Sequence, residues 1–469
     1  MAGIRNLIIP VCGFLFLAGC AMQRYDASPI VPGVTASQFE SRSLADDGLR
    51  SFEEKNQSPP GLWPPKTWNL QALSLAALYF NPALDLTRAR LARADAATVT
   101  AGARPNPTLG ISPGIPSPYL LTLDFSFPIE TAGKRGYRIQ SARNLDEAAR
   151  LDLADSAWNV LTGVRLALLN YFLASRDLEL LRREEQIRLD QVKILEQILS
   201  AGELPRLDVD LARIELSKTE VALRAAEGHS AEAETSLAAA IGIPVAAIRG
   251  AQFVWQDLDT PPGPESFVPA AIERDAVLNR LDLRRLLAQY AAAEADLQLE
   301  IAKRYPDINI GPGYTFEETH SFFTVGLSSV IPVLNRNQGP IAEAEARRKE
   351  AAAAFLEAQA LVTAKCERAL AAYTAALREL AEAQSSYQIQ ETELQTVQEA
   401  IRAGADHRLT LDAVQIQLSV LRRAKLDSLG RAQRALGDLE DAVQRPLGHD
   451  GVFEIQPESP ALSGQSRIH

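Results

Sequence analysis

A mainly α protein with a small β part is what this sequence predicts, and three features predict it. Two helical patterns run for about 60 residues each, reaching Ser200 and Arg402, which at 1.5 Å per residue makes rods of roughly 90 Å. Both rods end in an Ala-Gly turn, Ala201-Gly202 and Ala403-Gly404. Each rod is preceded by a pair of short segments in which apolar and small polar residues alternate. The chain therefore states one plan twice, over units far longer than a solenoid repeat. An isolated soluble domain has no use for such a rod, whereas a tube crossing a compartment does.

The first half spans 70–249. Leu70 to about Ala103 reads as helix, stopped by Pro105-Asn106-Pro107, because proline lacks a donor and disfavours helix in the residue before it. A strand pair over 107–128 follows. In its second member Leu121, Leu123, Phe125 and Phe127 point one way, and Thr122, Asp124 and Ser126 the other. Next come the turn Thr131-Ala132-Gly133-Lys134-Arg135-Gly136, the first rod, and a tip at 201–210. The second half, 270–448, repeats this after a Pro-rich linker at 250–269. Its helix covers Ala270 to about Arg304. Its strand pair covers 306–332, with Phe323, Val325, Leu327 and Ile331 alternating with Thr324, Gly326 and Ser328. Its tip is 403–412. Strands of about 9–11 residues with one apolar and one small polar face suit a position between lipid and a wet lumen, although a soluble sandwich alternates similarly.

Gly202 and Gly404 fit the left-handed residue that closes a helix, and Asp208 or Thr410 can cap the returning helix. The returning helices carry coiled-coil spacing: Leu207, Leu211, Ile214, Val221 and Ala225 in one, Leu411, Val414, Leu418 and Leu421 in the other. Much of the apolar content is alanine and aromatics are only 6%, so thin helices packed side by side are expected.

Residues 1–19 have the form of a secretory signal, with Arg5 followed by an apolar run from Leu7 to Ala18 that is too short to span a bilayer. Leu17-Ala18-Gly19-Cys20 resembles a bacterial lipobox, which implies a covalent lipid on Cys20 and an N-terminal arm over 20–69. Ala21, rather than Asp, after the cysteine implies sorting to the outer membrane. With Cys12 removed and Cys20 acylated, only Cys366 remains, as a packed small residue with no disulfide partner. A tail covers 449–469. No other stretch is apolar enough for a spanning helix, so any crossing must be a β-barrel.

The formal charge of −11 argues against a nucleic-acid surface. No Gly-x-Ser-x-Gly, Cys-x-x-Cys, His-Glu-x-x-His or Walker motif occurs, and the five histidines are scattered. The expectation is therefore no enzyme, no metal site and no cofactor apart from the lipid. The tips are the candidate working parts. Gly202, Glu203, Arg206, Asp208, Gly404, Asp406, Arg408 and Asp412 are the candidate aperture and docking residues. Glu203, Asp208, Asp406 and Asp412 would ring an opening and favour cations, or simply be solvated. Arg206 and Arg408 would close it through weak pairs of about 0–1 kcal/mol each.

Taken in order, Tyr305-Pro306-Asp307-Ile308-Asn309, Ile331-Pro332-Val333-Leu334-Asn335 with Gly339, and the duplicated Ala-Gly turns resemble the TolC-like outer-membrane efflux protein family from about Leu70 to Gly448. That resemblance implies a homotrimer with a long periplasmic α-helical barrel. Four transmembrane β-strands per protomer would close a 12-stranded barrel with no free edge. It also implies two partners, a periplasmic adaptor and an inner-membrane pump of the RND type. In Asn279-Arg280-Leu281-Asp282 the family more often has proline before the Asp, where this chain has Leu281. Phe127-Pro128-Ile129-Glu130-Thr131-Ala132-Gly133-Lys134-Arg135 resembles the heavy-metal (Czc/Cus-type) branch, with export of drugs or other organic solutes as the alternative. A periplasmic adaptor and a soluble coiled-coil scaffold are the rival readings of the whole chain.

Overall fold

The computed structural model describes residues 25–56, 63–115, 120–256, 258–405 and 407–447. Residues 25–41 belong to one compact unit, whose helix α1 is Pro32–Glu40. Arg42 onward belongs to the other. The latter begins with α2 (Asp47–Lys55), β1 (Thr67–Asn69), α3 (Leu70–Phe80) and α4 (Pro82–Gly102). Then come β2 (Thr108–Gly114), β3 (Leu120–Ile129), α5 (Lys134–Ser200), α6 (Arg206–Ile241) and β4 (Gln252–Val254). The second half supplies α7 (Pro269–Asn279), α8 (Leu281–Ala302), β5 (Ile308–Glu317), β6 (His320–Ser329), α9 (Gln338–Arg402) and α10 (Arg408–Val443). The two rods hold 67 and 65 residues, slightly more than expected, and each return helix holds 36.

Each of the two helices that precede a strand pair is broken in two, where one continuous helix was expected. In the first half Asn81 is extended, its side chain accepts from the Ala83 N–H, and Pro82 starts α4; a residue before proline avoids the helical region. In the second half the break falls at Arg280 with no proline present. The buried Arg280 guanidinium donates to the carbonyls of Asp441 and Ala442 at 2.9 and 2.6 Å and pairs with Asp282 at 2.7 Å. Orphan carbonyls at the end of α10 thus anchor the break. The first half builds the same joint with other residues. There Asn81 Nδ2 donates to the Ala240 carbonyl, and Arg42 Nη1 donates to the carbonyls of Phe80 and Gly242.

The arm and the linker are more structured than an extended arm and a connector. β1 pairs in parallel with β4, and Trp255 and Leu258 are buried in the first core with Leu73, Leu78, Phe80 and Leu168. A second core holds Ile272, Leu283, Tyr373, Leu436 and Leu439 together with Cys366, which is packed as expected. The halves are joined by a buried Arg165–Glu440 pair at 3.2 Å, with Arg165 also donating to Gln433.

The two strand pairs merge into one antiparallel sheet in the order β2-β3-β5-β6. β3 runs through Pro128 to Ile129, and β6 stops at Ser329, so Ile331 lies beyond the strand where its alternation was expected to continue.

The joint between α3 and α6 sets a test. Gly242 has φ +89, and a Cβ there would lie 2.9 Å from the Phe80 carbonyl oxygen and the Asn81 Cα. Gly202 has φ +81 but open space around it. Gly202→Ala should cost about 1 kcal/mol of left-handed strain, and Gly242→Ala about 3 kcal/mol, because backbone must also move. Denaturant unfolding of the two purified variants checks this; equal losses would refute the close approach.

Candidate functional site

Cross-strand registry assigns every sheet residue to a face, since directly paired residues point the same way. Leu123 pairs with Ile111 and Tyr314, and Tyr314 with Phe323; Phe127 pairs with Ile310, and Ile310 with Leu327. That face is apolar across all four strands. On the opposite face Thr122 pairs with Ser112 and Thr315, while Asp124 pairs with Gly110 and Gly313. The separation into an apolar and a small polar face expected for the second strands therefore extends over most of the sheet, with Phe322 on the polar face and Ser321 and Ser329 on the apolar face among the exceptions. The outer strands β2 and β6 each have one edge with no strand partner among the described residues.

At the base of the sheet the Tyr-Pro-Asp motif has a defined task. Asp307 accepts from the Thr131 N–H at 2.9 Å and from Lys134 Nζ at 2.7 Å, while Thr131 Oγ1 donates to the Pro306 carbonyl. Burial raises the Asp307 carboxyl, but these donors outweigh it and hold it below its ordinary value. One half of the repeat thereby fixes the strand-to-rod turn of the other.

At the far end the two tips have the same backbone. Gly202 and Gly404 are left-handed, at φ +81 and +74, and both turns close through matching bonds: Glu203 N–H to the Ile198 carbonyl and Ala405 N–H to the Ala400 carbonyl. The caps differ from expectation. Pro205 and His407 occupy the N-cap positions and give no side-chain cap. Asp208 and Thr410 lie inside the first turn instead; Asp208 there carries a charge that suits the helix dipole.

Glu203, Arg206 and Asp208 are exposed. Among the described residues Arg206 pairs only within its own helix, with Asp210 at 3.7 Å. Arg408 reaches further: it bonds Asp412 at 3.2 Å and approaches Asp190 of α5 at 3.9 Å, linking the two hairpins. Asp412 is fully buried in the single chain, with Oδ2 unpartnered among the described residues. Burial pushes its carboxyl above the ordinary value despite Arg408. Asp406 and Cys20 lie outside the described residues. Sequence reasoning missed Asp190 and the Arg213–Glu196 pair, which joins α6 to α5 at 2.6 Å. Counting outward from Leu204-Pro205, eight residues along each helix, would have brought Glu196 and Arg213 together.

The stripe on α6 faces away from its hairpin partner. Leu207, Leu211, Ile214 and Val221 are 66, 52, 52 and 69% exposed, while Val209, Leu223, Ala226 and Leu237 are the buried residues of that helix. Leu356, Leu361 and Ile389 of α9 are likewise exposed. Because α5 packs on α6 and α10, and α10 on α9, helices α6 and α9 lie on the two flanks of the four-helix layer. Among the described residues no group of three or more His, Cys, Asp or Glu is placed to hold a metal, and no helix is long and apolar enough to cross a membrane.

The sequence profile described as outer membrane efflux protein matches residues 73–243 and 273–443, which are the two halves set out above. The chain is 26% identical over 275 residues to the cobalt-zinc-cadmium resistance protein CzcC of Cupriavidus metallidurans, covering 57% of this chain and 63% of that protein. It is 24% identical over 474 aligned positions to the pyoverdine export outer membrane protein OpmQ of Pseudomonas aeruginosa, covering 92% and 97%. Its fold is similar to the crystal structure of the outer membrane protein VceC from Vibrio cholerae, with TM-score 0.64 and 19% identity over 81% of this chain and 97% of that one.

Proposed function

Because this chain belongs to the outer membrane efflux protein family, we propose that three copies close its sheet into a twelve-stranded outer-membrane barrel, continued by a periplasmic tube of helices. The assembly is a passive exit duct for solutes. An inner-membrane pump of the RND type supplies the energy, a periplasmic adaptor docks at the tips, and a lipid on Cys20 adds an anchor. The observation that carries this reading is the sheet: one largely apolar face, one mostly small polar face, and open edges at β2 and β6. A lipid-exposed sheet is stable only when no edge remains. The exposed stripe on α6 and the exposed Leu356, Leu361 and Ile389 of α9 extend the same seam down the tube, α6 of one copy against α9 of the next. The duct performs no catalytic step.

Heavy-metal cations are the cargo we favour, on the likeness to CzcC and the 127–135 segment. The nearly full-length alignment with OpmQ favours a second reading, export of an organic solute. At the entrance Arg408 is the closing contact, because it alone of the two candidate tip arginines ties α10 to α5.

Replacing Leu211 and Val221 together by Glu should abolish the trimer seen by native gel or light scattering in detergent, because a desolvated carboxylate at the seam costs several kcal/mol. A variant that still trimerises would refute the α6–α9 seam. Arg408→Ala should raise the closed-state conductance in planar bilayers about twofold or more, as several weak tip contacts fail together, while Arg206→Ala leaves it unchanged. Parental conductance in Arg408→Ala removes Arg408 from the gate. Deleting the gene should sensitise cells to zinc, cobalt or cadmium salts; sensitivity confined to organic compounds would decide for the second reading.

A further inference from the structure

We infer that Asp124 sets the charge preference of the barrel lumen, making the membrane-spanning part of the duct selective for small cations over anions. The inference rests on the trimeric duct proposed above and names a solute class for it. Asp124 is the fifth residue of the ten-residue strand β3, so it lies midway along the sheet, on the small polar face. Its two cross-strand partners are glycines, Gly110 on β2 and Gly313 on β5. They clear its surroundings. A Cβ on Gly313 would come within 3.1 Å of Asp124 Oδ1 and 2.6 Å of Thr324 Oγ1, and one on Gly110 would sit 3.7 Å from the Asp124 Cβ. The carboxylate therefore stands in a gap that any larger residue would crowd.

Among the described residues no cation pairs with it. β2, β3, β5 and β6 contain no Lys or Arg, and their only other acid is Glu317, at the far end of β5. Around Asp124 the face carries hydroxyls and glycines: Thr122, Ser126, Thr315 and Thr324 with Gly110 and Gly313. These offer weak, exchangeable contacts to a hydrated ion. Threefold symmetry puts three carboxylates at one level of a water-filled pore walled by lipid and protein, where an uncompensated ring of charge selects by sign. Three acids held by strands, with no clustered ligands, repel anions without trapping a cation.

The test uses the full-length protein in the outer membrane of intact cells, with Ser126→Cys, next but one to Asp124 on the same face, as reporter. Its thiol is modified by a cationic methanethiosulfonate (trimethylammonium-ethyl) and by an anionic one (sulfonatoethyl). The parent without Ser126→Cys serves as blank, since Cys366 is buried. The cationic reagent should react faster, and Asp124→Asn should lower the ratio of the two rates by about threefold or more, whereas Asp124→Glu keeps it. If both reagents reach the thiol and Asp124→Asn leaves the ratio unchanged, Asp124 has no such role and the duct stands. If neither reagent reaches the thiol in an assembled trimer, this face does not line a wet lumen, and the duct reading falls with the proposal.

Discussion

Two open sheet edges dominate the energetics of this molecule. Each unpaired N–H or C=O on β2 and β6 would cost several kcal/mol if it were left in hydrocarbon. No rearrangement within one chain removes that cost, because the order β2-β3-β5-β6 always leaves two ends. The same edges are harmless in a closed ring. The rest of the architecture follows from that constraint. In the closed ring proposed above the sheet needs its faces sorted along its width, and the registry shows this sorting over most of all four strands. Helices continuing from such a ring must be flanked as the strands are, with α6 and α9 outermost and apolar.

Duplication meets this constraint with little new information. Each half contributes two strands, a rod, a left-handed glycine turn and a return helix, and the halves lock to each other where the strands become helices. Asp307 of the second half fixes Thr131 and Lys134 of the first. The first half has no acid at the matching place, only Pro105-Asn106-Pro107, and the second half starts its rod on the left-handed Asn337, whose amide holds the Glu300 carbonyl. The two copies thus share a backbone path and solve its local demands with different side chains.

Much of this was legible in the chain. The alternation of Leu121 to Phe127 and the paired Ala-Gly turns are local signals, and local signals survive into structure. Three things were hidden for physical reasons. The break at Arg280 has no proline to announce it; it exists because a buried guanidinium finds carbonyls of α10, a contact over a hundred residues away in sequence. The stripe from Leu207 to Val221 has coiled-coil spacing yet is exposed in the single chain, since heptad spacing marks an apolar face and does not say what covers it. Asp412 looked like an aperture carboxylate because an acid near a turn is ordinarily solvated, yet it is buried beneath Arg408. Burial of a single acid depends on a neighbouring hairpin that spacing does not reveal.

Among the described residues no group of ligands converges on a metal, and a conduit has no need of one. Transport through a pore slows in proportion to the depth of any well along it, so a duct gains nothing from convergent ligands. Around Asp124 the polar face of the sheet is mostly Ser, Thr and Gly, whose contacts with a hydrated solute differ little from those of water. Discrimination must then come from long-range terms, which act without holding the solute: charge in the lumen and the width of the tips. Charge is best carried where the dielectric surroundings are lowest and counter-ions fewest, which is midway through the membrane-spanning strands, while closure is best placed at the far end of long rods. There a small splay of the helices opens the greatest width, and in the gate proposed above ion pairs as weak as those of Arg408 would hold the closed position.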